Sequence, residues 1–233
     1  HELVPPAFLA SARVNSLQRA TTPEEALAAL QVDPTLDVKL AAAEPLVVDP
    51  VAIDFGTDGR VWVVEMRDYP QGMDGKWKPG GRIKVLRDTD HDGVYDQGTV
   101  FMDDIPFPTG VMPWKKGALV CAAPDILYGE DTNGDGRADV IKKILTGFAT
   151  DNYQARVNSL SLGLDNWIHV ANGLRGGMVS NPNRPEQKLD IRGHDIRFQP
   201  DTGEFELVAG RTQHGLMRDD WDNWFGCTAT NLV

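Results

Sequence analysis

An apolar strand, a tight polar turn and a second apolar strand recur four times along this sequence, at intervals of about 50 to 60 residues. The turns lie at residues 57–59, 115–117, 165–166 and 222–223. Asp-Gly and Asp-Asn turns between alternating apolar runs are typical of β-hairpins. Self-similarity at this kind of period is typical of propeller blades. The repeat therefore predicts an all-β chain of successive antiparallel sheets.

The sequence after each hairpin predicts two further strands, so each repeat makes a four-stranded antiparallel blade of a β-propeller. The expected partial propeller covers residues 37–233, with blade one at about 51–103, blade two at about 108–147, blade three at about 157–209 and a truncated blade four at 213–233. Propellers close with about four to eight blades. Three and a half blades cannot close a ring, so we expect the sequence to be part of a longer protein.

An N-terminal extension, residues 1–36, does not follow the repeat. Thr22 and Glu25 have the spacing of a capping box, with Pro23 at the first helical position. This pattern predicts one short helix at about 22–31. Residues 37–42 then alternate between polar and apolar side chains, which predicts a strand.

Two acidic segments share the pattern D-x-[DN]-x-D-G-x-x-D, at residues 88–96 and again 43 residues later at 131–139. Oxygen ligands at positions 1, 3 and 5, followed by a glycine turn, suit Ca²⁺. Neither copy has the glutamate that ends an EF-hand loop, and an aspartate at position 9 takes its place. The predicted ligand sets are Asp88, Asp90, Asp92 and Asp96 in one loop, and Asp131, Asn133, Asp135 and Asp139 in the other.

Both acidic segments join the third predicted strand of a blade to the fourth. Ligands of propellers usually lie at the opposite end, where the second strand leads to the third and the fourth leads to the next blade. We therefore expect the calcium to be structural. Loops tuned to extracellular calcium concentrations would stay mostly empty in a cytosol, so they favour a periplasmic or extracellular location. The alternative is a pair of solvated acidic turns without an ion.

The net charge of −11 and the pI near 4.8 argue against nucleic acid as a partner, because little here would neutralise phosphates. No apolar run approaches the ~18 residues of a membrane span. Cys121 and Cys227 each lie in an apolar strand-like run, which favours buried free thiols, with a long-range disulfide as the alternative.

The strings at residues 62–69, 81–90, 114–125 and 163–173 resemble a known group. This group is the membrane-bound dehydrogenase-type, or haem-binding-type, propeller proteins of planctomycetes and verrucomicrobia. They are distantly similar to soluble sugar dehydrogenases that use pyrroloquinoline quinone and Ca²⁺. The resemblance implies a cytochrome c module on the full-length chain. No C-x-x-C-H motif occurs in this sequence, so we expect the haem to belong to a missing C-terminal part.

In the sugar dehydrogenases, a histidine in the loop before a blade takes the proton from the substrate hydroxyl. The matching loop here is residues 153–158, and Ala155 occupies the expected histidine position. An alanine cannot act as a base. His214, before the fourth blade, is the candidate replacement, and Arg156 is the second catalytic candidate; a surface or packing histidine is the alternative interpretation of His214.

Other charged residues are predicted at the same end of the blades. Arg211 precedes the Gly-Leu of blade four, and the resemblance implies that it helps to hold the anionic quinone. Glu65, Arg67, Asp68 and Arg175 follow second strands and are further candidates for cofactor binding. An inter-blade network of ion pairs is the alternative for these residues. Trp77, in the glycine-rich insertion at 71–81, is the tryptophan that can stack on a sugar.

Two functions follow from these patterns. The first is an exported calcium-binding dehydrogenase that oxidises a sugar or an alcohol and passes electrons to a haem module outside this sequence. The second is a non-catalytic propeller that binds glycan or protein within a large exported protein. The sequence leaves the substrate and the electron acceptor open.

Overall fold

The computed structural model describes residues 20–229, and these residues are predominantly β-structure. One short helix, α1 (Pro23–Ala29), precedes the strands. The Thr22 hydroxyl accepts the Glu25 N–H, and the Glu25 carboxylate accepts the Thr22 N–H. The predicted capping box and helix are thus confirmed. The first 19 residues of the extension and the last four of the truncated blade lie outside the described part.

Sixteen strands follow within the described residues. In chain order they are β1 (Pro50–Phe55), β2 (Val61–Glu65), β3 (Gly81–Arg87), β4 (Gln97–Ile105), β5 (Gly110–Trp114), β6 (Gly117–Ala122), β7 (Asp125–Glu130), β8 (Val140–Phe148), β9 (Asn158–Leu162), β10 (Ile168–Ala171), β11 (Gly177–Asn181), β12 (Arg184–Asp190), β13 (Asp195–Phe198), β14 (Phe205–Val208), β15 (His214–Arg218) and β16 (Trp224–Cys227).

The strands form consecutive antiparallel sheets. The first sheet has the order β1-β2-β3-β4, and the third has the order β9-β10-β13-β14. The second sheet contains β5-β6-β7-β8, and β15 pairs with β16 in a final hairpin. The first strands β1, β5, β9 and β15 are neighbours in that order. The predicted all-β class is confirmed, with several antiparallel sheets.

Apolar layers between the sheets hold them together. In β2, Trp62 and Val64 face the second sheet, and Trp62 packs edge-on against Phe101 with ring centroids 4.8 Å apart. A second cluster joins the second and third sheets and includes Ile126 and Phe198, both fully buried. Trp62 and Val64 share a face because side chains two positions apart in a strand point to the same side of the sheet.

One hairpin was not predicted from the sequence. The sequence predicts no strand between the second and third strands of blade three, but β11 and β12 lie there and extend the second sheet beside β8. Five of the seven residues of β12 are exposed, and Pro185 interrupts its polar run. Such a segment has a weak strand signal by itself. It is a strand because the edge of β8, through β11, supplies its backbone partners.

The predicted strand at residues 37–42 is wrong. Within the described residues this segment makes one backbone hydrogen bond to the sheet, from Tyr95 N to Ala41 O at 2.8 Å, and so has no ladder partner. Apolar residues of this segment and of the residues that follow it are buried by packing and not by pairing in a sheet. Ala42, Leu46 and Val47 pack against the outer face of the first sheet.

Of the two cysteines, Cys121 is buried and Cys227 partly buried, and both are free thiols. Burial raises the pKa of the Cys121 thiol, because a thiolate is poorly solvated there. Among residues 20–229, no helix has the length and apolar character needed to span a membrane.

Packing between the second and third sheets predicts a large cost for Ile126→Ala. The side chain is fully buried in the core cluster, so we expect its truncation to lower the free energy of unfolding by about 2–5 kcal/mol. Denaturant unfolding followed by circular dichroism measures this loss.

Ile141→Ala is the matched control, since Ile141 lies on the adjacent strand β8 and is 54% exposed. Its effect should stay within about 0.5 kcal/mol. Equal losses in the two variants would contradict the assigned core.

Candidate functional site

An open cavity of about 1120 Å³ runs along the first strands of the sheets. Its walls come from β1, β5, β9 and β15, together with the connections that lead into these strands. Polar side chains line it beside aliphatic ones, and they include Arg156, His214, Tyr69 and Gln154. A concave, partly apolar space with a few converging polar groups is the usual form of a small-molecule site.

Arg156 is the one arginine or lysine in the wall of this cavity, as far as the described residues show. It is 5% exposed, and its Nη2 donates to Thr150 O at 2.9 Å. Its guanidinium carbon lies 4.1 Å from the Tyr153 ring centroid and 5.1 Å from that of Phe107. Burial lowers the pKa of Arg156, while nearby Tyr153 and Asp68 raise it. The buried Nε has no hydrogen-bond partner among the described residues.

His214 lies in the same cavity, on β15, which is the last of the four wall strands when they are counted from β1. It opens β15 and pairs with Cys227 in the register of the final hairpin. The residue is exposed, and the Cys227 thiol donates to its carbonyl oxygen at 3.2 Å. The imidazole is therefore available to a bound molecule. Arg156 and His214 are brought to one cavity, as the topology of the connections predicts.

Glu65 and Asp68 do not line the cavity, in contrast to the prediction that they converge with His214. Both are fully buried. Glu65 accepts from Val48 N at 3.0 Å and pairs with Lys84 at 3.2 Å. Asp68 accepts from Phe107 N at 2.9 Å and from Gly80 N at 3.3 Å. Their carboxylates are used to hold neighbouring connections, because buried carboxylates need such donors.

The other predicted arginines also lie outside the cavity wall. Arg175 is exposed and forms an ion pair with Asp151 at 3.6 Å. Arg211 is exposed, and Arg67 is partly buried near Asp103. The structure therefore brings Arg156 and His214 together and leaves Arg67, Arg175 and Arg211 away from them.

An aromatic cluster borders the cavity next to Arg156. Tyr153 stacks on Trp77 with ring centroids 5.2 Å apart and an interplanar angle of 8°. Phe107 packs against Tyr153 at 4.5 Å. The Gln154 side-chain amide donates to the Tyr69 hydroxyl at 3.1 Å, which fixes a second polar ring at the same rim.

The two acidic loops lie at the opposite end of the sheets, since they join β3 to β4 and β7 to β8. They fold alike. Asp88 accepts from His91 N and Gly93 N, as Asp131 accepts from Gly134 N and Gly136 N. These backbone donors hold the pKa of Asp131 below its usual value. At Asp88 burial acts to raise the pKa, but the backbone hydrogen bonds outweigh it and the pKa is also lowered.

The predicted four-residue cages are only partly assembled. Asp88, Asp90 and Asp92 each present an oxygen within 4.8 Å of the others. Asp96 instead accepts hydrogen bonds from the backbone and hydroxyl of Thr89. In the second loop, Asp139 accepts in the same way from Thr132, and Asn133 Nδ2 donates to it at 2.7 Å. The ninth position of each loop thus closes the turn.

A family model for a domain of unknown function, DUF7133, matches residues 22–233, from the helix cap through every sheet. The chain belongs to the DUF7133 family. No curated protein matches the sequence. The match spans α1 and all sixteen strands, so the cavity and both acidic loops of this chain lie within the matched region.

Several lining residues of this DUF7133 chain were missed from the sequence. Tyr153 lines the cavity and Phe107 packs against it, and both lie in connections between sheets, where only charged residues had been followed. Asp54 also lines the cavity from β1, and burial raises its pKa. The rule for connections could have found the two aromatic residues, whereas nothing in the sequence marks Asp54.

The buried carboxylate of Asp68 predicts a cost for Asp68→Ala, which leaves the N–H groups of Gly80 and Phe107 without acceptors. We expect a loss of about 3 kcal/mol in the free energy of unfolding, because buried donors without partners are costly. Denaturant unfolding measures it.

Asp201→Ala is the control, since Asp201 is exposed and pairs only with Lys115 at the surface. Its cost should be below about 1 kcal/mol. A similar cost for the two variants would show that Asp68 does not hold the connections.

Proposed function

We propose that the DUF7133 sheets are blades of a β-propeller and that the cavity is part of its central channel. Three features support this arrangement. The sheets follow one another along the chain, their first strands are neighbours in sequence order, and those strands line one cavity. Radial repetition of four-stranded antiparallel sheets around a channel defines a propeller.

We infer that the cavity binds a sugar or an alcohol and that the protein is a dehydrogenase similar to the quinoproteins. The observation that carries this inference is the presence of Arg156 and His214 in one cavity, with the Arg156 Nε unpaired although buried. A buried cation without a carboxylate partner suits an anionic group, and a quinone cofactor carries such groups. When bound, the quinone would accept the hydride from the substrate carbon.

The chain itself contributes binding, orientation and a base. His214 is the residue that accepts the hydroxyl proton at its imidazole, since an imidazole nitrogen is the most frequent general base in enzymes. Arg156 holds the anionic group, and the Tyr69 hydroxyl can donate to a hydroxyl group of the substrate.

The dehydrogenase proposal is tested by an activity assay. The protein is supplied with pyrroloquinoline quinone and Ca²⁺, and dye reduction is measured with a panel of sugars and alcohols. We expect dye reduction with at least one substrate. His214→Gln should lower kcat by about 10²- to 10⁴-fold, the usual contribution of a general base.

His194→Gln is the control, because His194 is exposed in another connection and does not line the cavity. Its kcat should equal that of the parent protein. If no substrate reduces the dye, or if His214→Gln is as active as His194→Gln, the dehydrogenase proposal fails.

Calcium at the acidic loops remains part of the proposal, with a structural role. The oxygens of Asp88, Asp90 and Asp92 already lie within 4.8 Å of one another, and hard oxygen ligands at this spacing fit Ca²⁺ at about 2.3–2.6 Å. An ion would replace the repulsion between three carboxylates with coordination. Such loops support the proposal of a periplasmic or extracellular protein.

Calcium should raise the melting temperature of the protein, and Asp92→Asn with Asp135→Asn should remove this increase, because each change weakens one cage. Asp201→Asn, at an exposed surface pair, should keep it. Thermal scans with calcium and with a chelator measure the effect. The same increase in the double variant and in the control would exclude these loops as the calcium sites.

A non-catalytic module that binds glycan is the second candidate. Ala155 occupies the position expected for the catalytic histidine, and it is buried at 3% exposure beside Arg156. The exposed aromatic cluster at the rim favours binding without requiring chemistry. This candidate gains support if saccharides bind and no substrate is oxidised. A haem module on the full-length chain belongs to the first candidate only.

A further inference from the structure

Trp77 is an exposed aromatic residue held at the border of the cavity. It is 52% exposed, and Tyr153 covers one face of its indole with nearly parallel rings. Since one face is covered and half of the residue is still exposed, the opposite face is open to solvent. Tyr153 itself lines the cavity, so the indole continues the cavity wall outwards.

The backbone at Trp77 is strained, with a φ of +70° in a residue that is not glycine. Such conformations cost about 1–3 kcal/mol and persist only where the surroundings impose them. Burial of the indole does not repay this cost, because half of the residue remains exposed. The hydrogen bonds of the loop, and not burial of the ring, therefore impose this conformation.

The loop at 71–80 keeps Trp77 in this conformation. Trp77 N donates to Gln71 O at 2.9 Å, and Met73 N donates to Lys78 O at 2.9 Å. Asp74 accepts from Lys76 N and Lys78 N. Gly72 has a φ of +79°, and a Cβ on it would lie 2.5 Å from Trp77 Cα. The loop is thus closed around the tryptophan, so the ring is positioned before any ligand binds.

Polar groups lie next to the open ring. The Tyr69 hydroxyl accepts from the Gln154 amide, which leaves the hydroxyl proton free to donate. Tyr69 is 48% exposed. Arg156 lies on the cavity side of the cluster, over Tyr153. An aromatic face beside hydroxyl, amide and guanidinium groups matches a ligand with one apolar face and polar edges.

We propose that Trp77, supported from behind by Tyr153, forms with Tyr69 a stacking platform for a pyranose ring of a saccharide, whose next ring enters the cavity. A pyranose presents C–H groups on one face and hydroxyls at its edge. The electron-rich face of the indole attracts those C–H groups. This inference deepens the proposed function, on which the entry of the next ring rests, and it names an oligosaccharide or a glycoside as the ligand in place of a small alcohol.

The size of the patch favours a saccharide over a protein partner. In the segment 69–77 beside the cavity, the large exposed apolar side chains are Tyr69, Met73 and Trp77. A stable protein interface needs about 800 Å² on each partner. Three side chains around a cavity mouth are too few for such an interface, but they are sufficient to cover one or two sugar rings.

The test is a glycan array of plant, algal and microbial saccharides, followed by isothermal titration calorimetry with the strongest ligand, without quinone or electron acceptor. We expect binding that saturates. Trp77→Ala should weaken this binding about tenfold or more, since the loss of a stacked ring removes about 1.4 kcal/mol or more.

Trp221→Ala is the matched control. Trp221 is 81% exposed in the turn between β15 and β16, away from the cavity wall. It should leave the affinity unchanged. Gly72→Ala provides a second variant that keeps the indole but displaces it, and we expect it to weaken binding as well, with circular dichroism showing that the sheets are intact.

Two results would overturn the platform. One is an array without any saccharide bound, and the other is equal affinity in Trp77→Ala and Trp221→Ala. These failures differ from that of the proposed function, because binding is measured without redox chemistry. Oxidation of small alcohols that Trp77→Ala leaves unchanged would keep the dehydrogenase and exclude the platform, and binding without oxidation would keep the platform alone.

Discussion

Buried carboxylates that accept backbone N–H groups hold the connections between the sheets, and the arrangement of the cavity depends on them. Asp68 joins the insertion after β2 to the connection before β5, through Gly80 N and Phe107 N. Asp195 does the same for the third sheet and accepts from Asn172 N and from both N and Oγ1 of Thr212. A charge-assisted hydrogen bond in a buried place is strong, and a donor left alone there is costly. The two ties set where Phe107 packs against Tyr153 and where Gln213 meets the cavity.

The two ends of the sheets are consequently held by different means. At the cavity end, donors from one connection meet acceptors from another, so that the sheets position one another. At the opposite end, each acidic loop satisfies its own backbone, as Asp88 and Asp131 show. A change in one acidic loop can therefore stay local, whereas a change at Asp68 is expected to reach the cavity. Binding and catalysis need a rigid surrounding, and this end of the molecule supplies it.

The sequence predicted most strands because their signals are local. Asp-Gly and Asp-Asn turns between apolar runs marked the hairpins, and the apolar run at residues 61–64 marked a strand. The hairpin of β11 and β12 could not be predicted, because its stability depends on the edge of β8. Glu65 and Asp68 were interpreted as cavity residues, since a sequence does not show which charges are buried among backbone donors. Arg156 and His214 lie in connections that lead to the next sheet, and such positions can be read from the sequence.

The hairpin beside β8 also changes the outermost edge of the second sheet. Without it, β8 would present a nine-residue row of free backbone groups, a template for pairing with another molecule. The outer edge is instead β12, where Arg184, Pro185, Glu186 and Lys188 combine charge with a missing N–H. Charged and proline-containing edges discourage the addition of foreign strands. The strand β12 thereby protects the second sheet against aggregation, although its own composition does not favour a strand.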